Sequence, residues 1–218
     1  MYTDGYFNIA ATRVCREPDI PANATTLSHI ADLPDFWVSP YNIAISSLET
    51  TTSQQQAIMD FLDEPTEIDI YLQDISMTSL ATSLPDHLMP MVRPMEAIFN
   101  KVNELFPRSR FRLTIKAINS QMCPLFHEDN IYFRFITTLK GKGTQWLADK
   151  DANRKNLCKG GSKPIIKEGA LLQELKTGQI GFMKGKKAPS AGGLIHRSPP
   201  IDPSVDETRV IVRVDTDW

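Results

Sequence analysis

The residues of this chain best equipped for chemistry lie in Cys123-Pro124-Leu125-Phe126-His127-Glu128-Asp129-Asn130, where a histidine and an aspartate stand two positions apart just ahead of a β-type run. In extended backbone, residues i and i+2 share a face, so the His127 imidazole and the Asp129 carboxylate can reach one ion while Glu128 turns away. A second imidazole, His196, sits in Gly192-Gly193-Leu194-Ile195-His196-Arg197-Ser198-Pro199, at the end of a later strand candidate. Two imidazoles and one carboxylate on one face of a metal leave its other positions open, which suits a non-haem Fe(II) centre. The chain has only 4 histidines, and His29 and His87 fall in a Pro-rich arm and at a helix start, where surface positions are expected.

Two other arrangements compete for the same residues. His127 and Asp129 could form a hydrogen-bonded pair with a structural or acid-base role. Alternatively, Cys123 could join His127, Asp129 and His196 in a closed tetrahedral zinc site, although a buried, inert thiol is the expectation for it. Beyond His196, the run Arg209-Val210-Ile211-Val212-Arg213-Val214-Asp215 places Arg209, Ile211, Arg213 and Asp215 on one strand face and the valines on the other. A guanidinium there can take a carboxylate through two parallel hydrogen bonds, as a dicarboxylate cosubstrate requires. Arg209 is the first candidate and Arg213 the second, against the alternative of an arginine paired with Asp215 or a neighbouring carboxylate at the surface; Arg134 is a weaker anion-binding candidate.

These residues need elements to position them. Residues 1–40 are punctuated by Pro18, Pro21, Pro34 and Pro40 and read as an arm, with Phe36 and Trp37 docking on the core. A short strand is predicted at 41–48, and hydroxyls at 50–53 can cap a helix over 54–62. From 87 to 106, Met91, Met95, Ile98, Val102, Leu105 and Phe106 recur at helical spacing, closed by Pro107. The period then becomes two: strands are predicted at 111–115, 131–139, 144–147, 179–184, 193–196 and 209–215. Gly141 and Gly143 suit a tight turn, Trp146 an apolar wall, 150–167 a polar loop, and 168–175 one or two helical turns. Helices first and short strands later predict a single α+β domain whose sheet closes into a sandwich or jelly roll: arm 1–40, mainly helical support 41–107, β core 108–218.

Composition bounds the function. With 218 residues, 41% hydrophobic and 23% charged, the chain can bury a core and lacks the signature of disorder. A net charge of -2 with scattered basic residues argues against nucleic acid as a partner, and Lys184-Gly185-Lys186-Lys187 reads as a solvated loop. The 3 cysteines, Cys15, Cys123 and Cys158, form no disulfide framework, and neither a secretory leader nor a transmembrane run is visible. The expected setting is the cytoplasm, with a small-molecule substrate and no membrane.

The stretches CPLFHEDNIYFRFITTLKGKGTQWL, LKTGQIGFMKG and GLIHRSPPI followed by RVIVRVD, spanning roughly 123–215 with a weaker echo in YNIAI, resemble the family catalogued as domain of unknown function 1826. The chain departs from that pattern at Lys140, where an aromatic often precedes the first glycine, and at Gln145, where an acidic residue is usual. The His-x-Asp and distal His are also similar to those of the cupin and 2-oxoglutarate oxygenase superfamilies. That resemblance implies a double-stranded β-helix (jelly roll, cupin-like) core behind N-terminal helices. It also implies Fe(II) on His127, Asp129 and His196, and 2-oxoglutarate on Arg209. The usual Arg-x-Ser pattern is absent, since Val210 and Ile211 follow Arg209. The expected activity is an Fe(II)-dependent, 2-oxoglutarate-dependent dioxygenase; the alternative is a zinc-binding or metal-homeostasis protein without turnover.

Overall fold

A computed structural model describes residues 22–120, 122–157, 164–189, 192–202 and 207–217. Strand β1 (Ala24–Thr26) leads to helix α1 (Leu33–Val38), which seats Phe36 and Trp37 on the core as expected of the arm. Strand β2 (Ile43–Ser47) and helix α2 (Thr52–Asp63) follow, the latter opened by the Thr51 hydroxyl accepting from the Gln54 N–H at 3.1 Å. Next come β3 (Ile68–Leu72) and α3 (Met77–Ser83), neither of which was expected from the sequence. Ile68, Ile70 and Leu72 do alternate, but the exposed strand lies at a sheet edge, where the contrast between inner and outer positions is weak.

The stretch 87–106, predicted as one helix, is interrupted. Pro90 and Pro94 lack the N–H an interior turn needs, so the chain runs as α4 (Met89–Val92), a 3-10 turn (Arg93–Met95) and α5 (Glu96–Leu105). The apolar spacing survives the interruption, since Met91, Met95, Ile98 and Val102 are all buried.

The remaining strands are β4 (Arg110–Ile118), β5 (Phe133–Lys140), β6 (Gln145–Leu147), β7 (Leu172–Glu174), β8 (Gln179–Lys184), β9 (His196–Arg197) and β10 (Arg209–Asp217). The helical turns expected over 168–175 are replaced by β7: Gly169 turns the chain at φ 73°, and residues 172–174 then pair with β6. The strand expected at 193–196 shrinks to β9. In the loop after β6, 3-10 turns at Asp149–Asp151 and Arg154–Asn156 flank a bridge between Ala152 and Ile166. The glycine-rich part of that loop with Cys158, and Cys15, lie outside the described residues. Lys184 is not in a solvated loop; it ends β8 at 1% exposure, donating to the Ser39 carbonyl at 2.6 Å beneath the Phe36 ring.

Seven strands form one sheet in the order β1-β2-β8-β5-β10-β4-β3, antiparallel except for β1 with β2, and three form a second sheet, β7-β6-β9. The helices cover one face of the large sheet through Phe133, Phe135, Phe182, Val210, Val212 and Val214. The small sheet covers the other face, where Trp146, Leu175 and Leu194 meet Ile43, Ile136 and Met183. The result is a mixed α+β protein in which the large sheet is a shared wall. Among the described residues, no helix is long and apolar enough to cross a membrane.

Candidate metal centre

His127 and His196 are brought together by main-chain pairing. The two residues form an antiparallel bridge in which each N–H donates to the other's carbonyl, both at 3.0 Å, and their rings lie 4.6 Å apart. Each ring is oriented the same way: Nδ1 of His127 faces the Leu125 carbonyl at 2.9 Å, and Nδ1 of His196 faces the Leu194 carbonyl at 3.0 Å. A carbonyl can only accept, so Nδ1 carries the proton and Nε2 offers its lone pair. The main chain of Asp129 is held by the Lys186 N–H at 2.8 Å. Its carboxylate stands between the rings, 3.6 Å from His127 Nε2 and 3.1 Å from His196 Nε2. One ligand atom from each of the three residues falls within 4.8 Å of the others.

The electrostatics suit a cation. Burial, and then the neighbouring His196, push the His127 imidazole below its ordinary value, which keeps it neutral and able to ligate. For Asp129, burial opposes ionisation, but the contact with His196 and the Arg134 guanidinium that donates to it outweigh burial and hold the carboxyl well below the usual range. The side chains are 7% exposed at His196, 18% at Asp129 and 34% at His127, so the centre opens on the His127 side. Two imidazoles with Nε2 turned inward and one carboxylate, set by paired main chain, match the donors that Fe(II) or another divalent transition metal takes.

A cavity lined by His127 and His196 also takes in Arg134, Arg197, Arg209 and Arg213. Glu128 points away from it, into an ion pair with Arg154. Arg154 also donates to the Gly193 carbonyl at 2.9 Å, tying the His-x-Asp segment to the approach of β9. Nothing in the local sequence around Arg154 signals that role, because its partners come from distant segments. Arg209 is 2% exposed, its Nε donates to the Lys142 carbonyl at 2.6 Å, and burial pushes its guanidinium down to about 10. Among the described residues it has no ion-pair partner. The glycine turn after β5 packs closely beside it: a Cβ at Gly141 would stand 3.0 Å from Arg209 Cγ, and one at Gly143 would overlap the Leu175 carbonyl at 1.8 Å.

Arg213 is differently placed: it lies 3.3 Å from Asp215 Oδ2 and donates to the Thr114 hydroxyl at 3.0 Å, paired as the alternative expects but away from the surface. Arg134 holds Asp215 through two nitrogens, at 2.6 and 2.9 Å, and donates with a third to Asp129. Cys123 is exposed rather than buried. It sits in the loop ahead of the bridge with φ 31°, at the cavity rim, and its sulfur is not among the converging ligand atoms. His29 and His87 are exposed.

The chain is similar to the crystal structure of JOX2 in complex with 2OG, Fe and JA, with a TM-score of 0.54 and 7% identity over 94% of this chain and 76% of that one. Weaker likenesses are to a Pseudomonas putida prolyl-4-hydroxylase (TM-score 0.48, 8% identity, 86% of this chain and 97% of that one) and a bsmA homologue from Methylobium petroleophilum (TM-score 0.47, 11% identity, 86% and 92%). The chain belongs to the DUF1826 family, described as proteins of unknown function, whose pattern matches residues 38–215. No curated protein matches it.

Proposed function

We propose that this protein is a non-haem Fe(II)-dependent oxygenase that uses 2-oxoglutarate to hydroxylate a small-molecule substrate, on a double-stranded β-helix core. The observation that carries this reading is the convergence of His127, Asp129 and His196 within 4.8 Å beside Arg209, a buried guanidinium with no ion-pair partner among the described residues. Bound Fe(II) would supply the electron transfer by which one oxygen atom of O2 enters a substrate C–H bond and the other enters succinate, as 2-oxoglutarate loses CO2. His127, Asp129 and His196 would hold the metal. Arg209 would take the distal carboxylate of 2-oxoglutarate through its terminal nitrogens, while the Lys142 carbonyl fixes Nε. Trp146, directly opposite His196 across the strands and 1% exposed, closes the interior against water.

A closed zinc site is less well supported, because Cys123 stands at the rim rather than among the converging atoms. Anaerobic purification, metal analysis and calorimetric titration with 2-oxoglutarate test the proposal. One Fe(II) per chain, lost in both His127→Ala and His196→Ala, and 2-oxoglutarate binding that requires the metal are expected. Metal content unchanged in both variants, or tight zinc with no 2-oxoglutarate binding, would overturn it.

A further inference from the structure

From the cavity wall runs a chain of buried charges that the metal reading leaves unexplained. Arg134 is cross-strand partner to Asp215 in the β5–β10 pairing, and its Nε and Nη2 grip both Asp215 oxygens at 2.6 and 2.9 Å. Its remaining nitrogen, Nη1, reaches Asp129 Oδ2 and lies 3.4 Å from His196 Nε2. Asp215 is in turn approached by Arg213 Nε at 3.3 Å. The Arg134 and Asp215 side chains are 11% and 7% exposed. A planar guanidinium clamped by two bonds to one carboxylate cannot rotate, so the direction of its third donor is fixed by strand register rather than by the Asp129 loop. Asp215 fixes the orientation of Arg134, so Asp129 meets an aimed donor as well as a nearby charge.

The geometry points to Arg134 as a positioning residue. By occupying Oδ2, it restricts Asp129 to offering a metal one oxygen, keeping open the coordination position that a chelating carboxylate would close. This deepens the Fe(II) reading and rests on it. Three ligands on one face of a six-coordinate metal would leave three positions, of which a cosubstrate bound through two oxygen atoms takes two; with Asp129 free to turn and bind through both oxygens only two would remain, so cosubstrate and O2 would compete with the carboxylate for them. A lysine at 134 carries the charge but only a point donor, so it can serve Asp129 or Asp215 but cannot span both.

Cobalt(II) is the probe, added to the full chain under anaerobic conditions, with d–d absorption reporting the ligand field and calorimetry reporting 2-oxoglutarate affinity. The wild-type protein is expected to bind Co(II) with a spectrum that shifts on adding 2-oxoglutarate. Arg134→Met is expected to retain Co(II) with altered band position and intensity and to bind 2-oxoglutarate about tenfold or more weakly, with partial recovery of both in Arg134→Lys. Because Arg134→Met leaves Asp215 with one cation fewer, Arg134→Met/Asp215→Asn, which removes one charge of each sign, repeats the measurement in a balanced interior. A wild-type spectrum and wild-type 2-oxoglutarate affinity in both methionine variants would overturn the role of Arg134. Failure of the Fe(II) reading looks different: the wild-type protein takes up no Co(II), or retains it after His127→Ala and His196→Ala, and the positioning role falls with it.

Discussion

On the helix side of the large sheet, β5 and β10 present Phe133, Phe135, Val210, Val212 and Val214; one residue along the same strands, toward the small sheet, they present Arg134, Arg209, Arg213 and Asp215. The period of two lets one strand serve a packed core and a polar site with no loop between them. Their energetics differ in kind. The apolar face gains from burial in proportion to area, and Phe135 lies against Phe99 and Phe182 at centroid distances of 5.9 and 6.1 Å. The charged face gives up hydration for every guanidinium it encloses, and recovers it only where a carboxylate or carbonyl is in place. Stability should therefore reside on one face and ligand binding on the other.

The largest expected effect tests the helix side. Phe135→Ala should cost about 3–5 kcal/mol in urea unfolding while leaving metal stoichiometry unchanged; loss of metal in a folded Phe135→Ala protein would show that the faces are coupled. Next is Arg209→Met, where 2-oxoglutarate affinity should fall about 10–100-fold and the urea midpoint should hold or rise, since a desolvated cation is replaced by an apolar chain. A lowered midpoint with intact affinity would reverse the assignment. The smallest effect concerns Lys184, a cation at the margin of the helix side. Burial pushes it from its ordinary 10.5 down to about 8, so the folded state disfavours its charged form. Stability should accordingly rise as pH climbs through about 8 toward 10.5 and then level off. The difference in urea midpoint between wild type and Lys184→Met, followed across that range, should narrow; a constant difference would place Lys184 in a wetter setting than the structure shows.

Much of the local architecture was legible. The alternation in β10 and β5 sorts the two faces without any tertiary information, and the apolar spacing at 91, 95, 98 and 102 identifies the buried helix stripe. The breaks at Pro90 and Pro94 were readable from backbone chemistry and were outweighed by that spacing. Strand β7 was not legible, because three residues gain their conformation from pairing with β6 rather than from their own propensity.

The candidate site divides the same way. The sequence alone determined that His127 and Asp129 share a face and that Glu128 does not, because side-chain direction in extended chain depends only on neighbouring residues. Which arginine remains available for a ligand was decided by tertiary structure. Arg134 and Asp215 meet across 81 residues of chain, and that pairing commits Arg134 and draws in Arg213, while Arg209 at the cavity has no ion-pair partner among the described residues. The position of Cys123 at the rim rather than among the ligands was settled likewise, by the bridge between His127 and His196. Strand register is a long-range property, fixed by the packing of whole sheets, and a short motif carries no record of it.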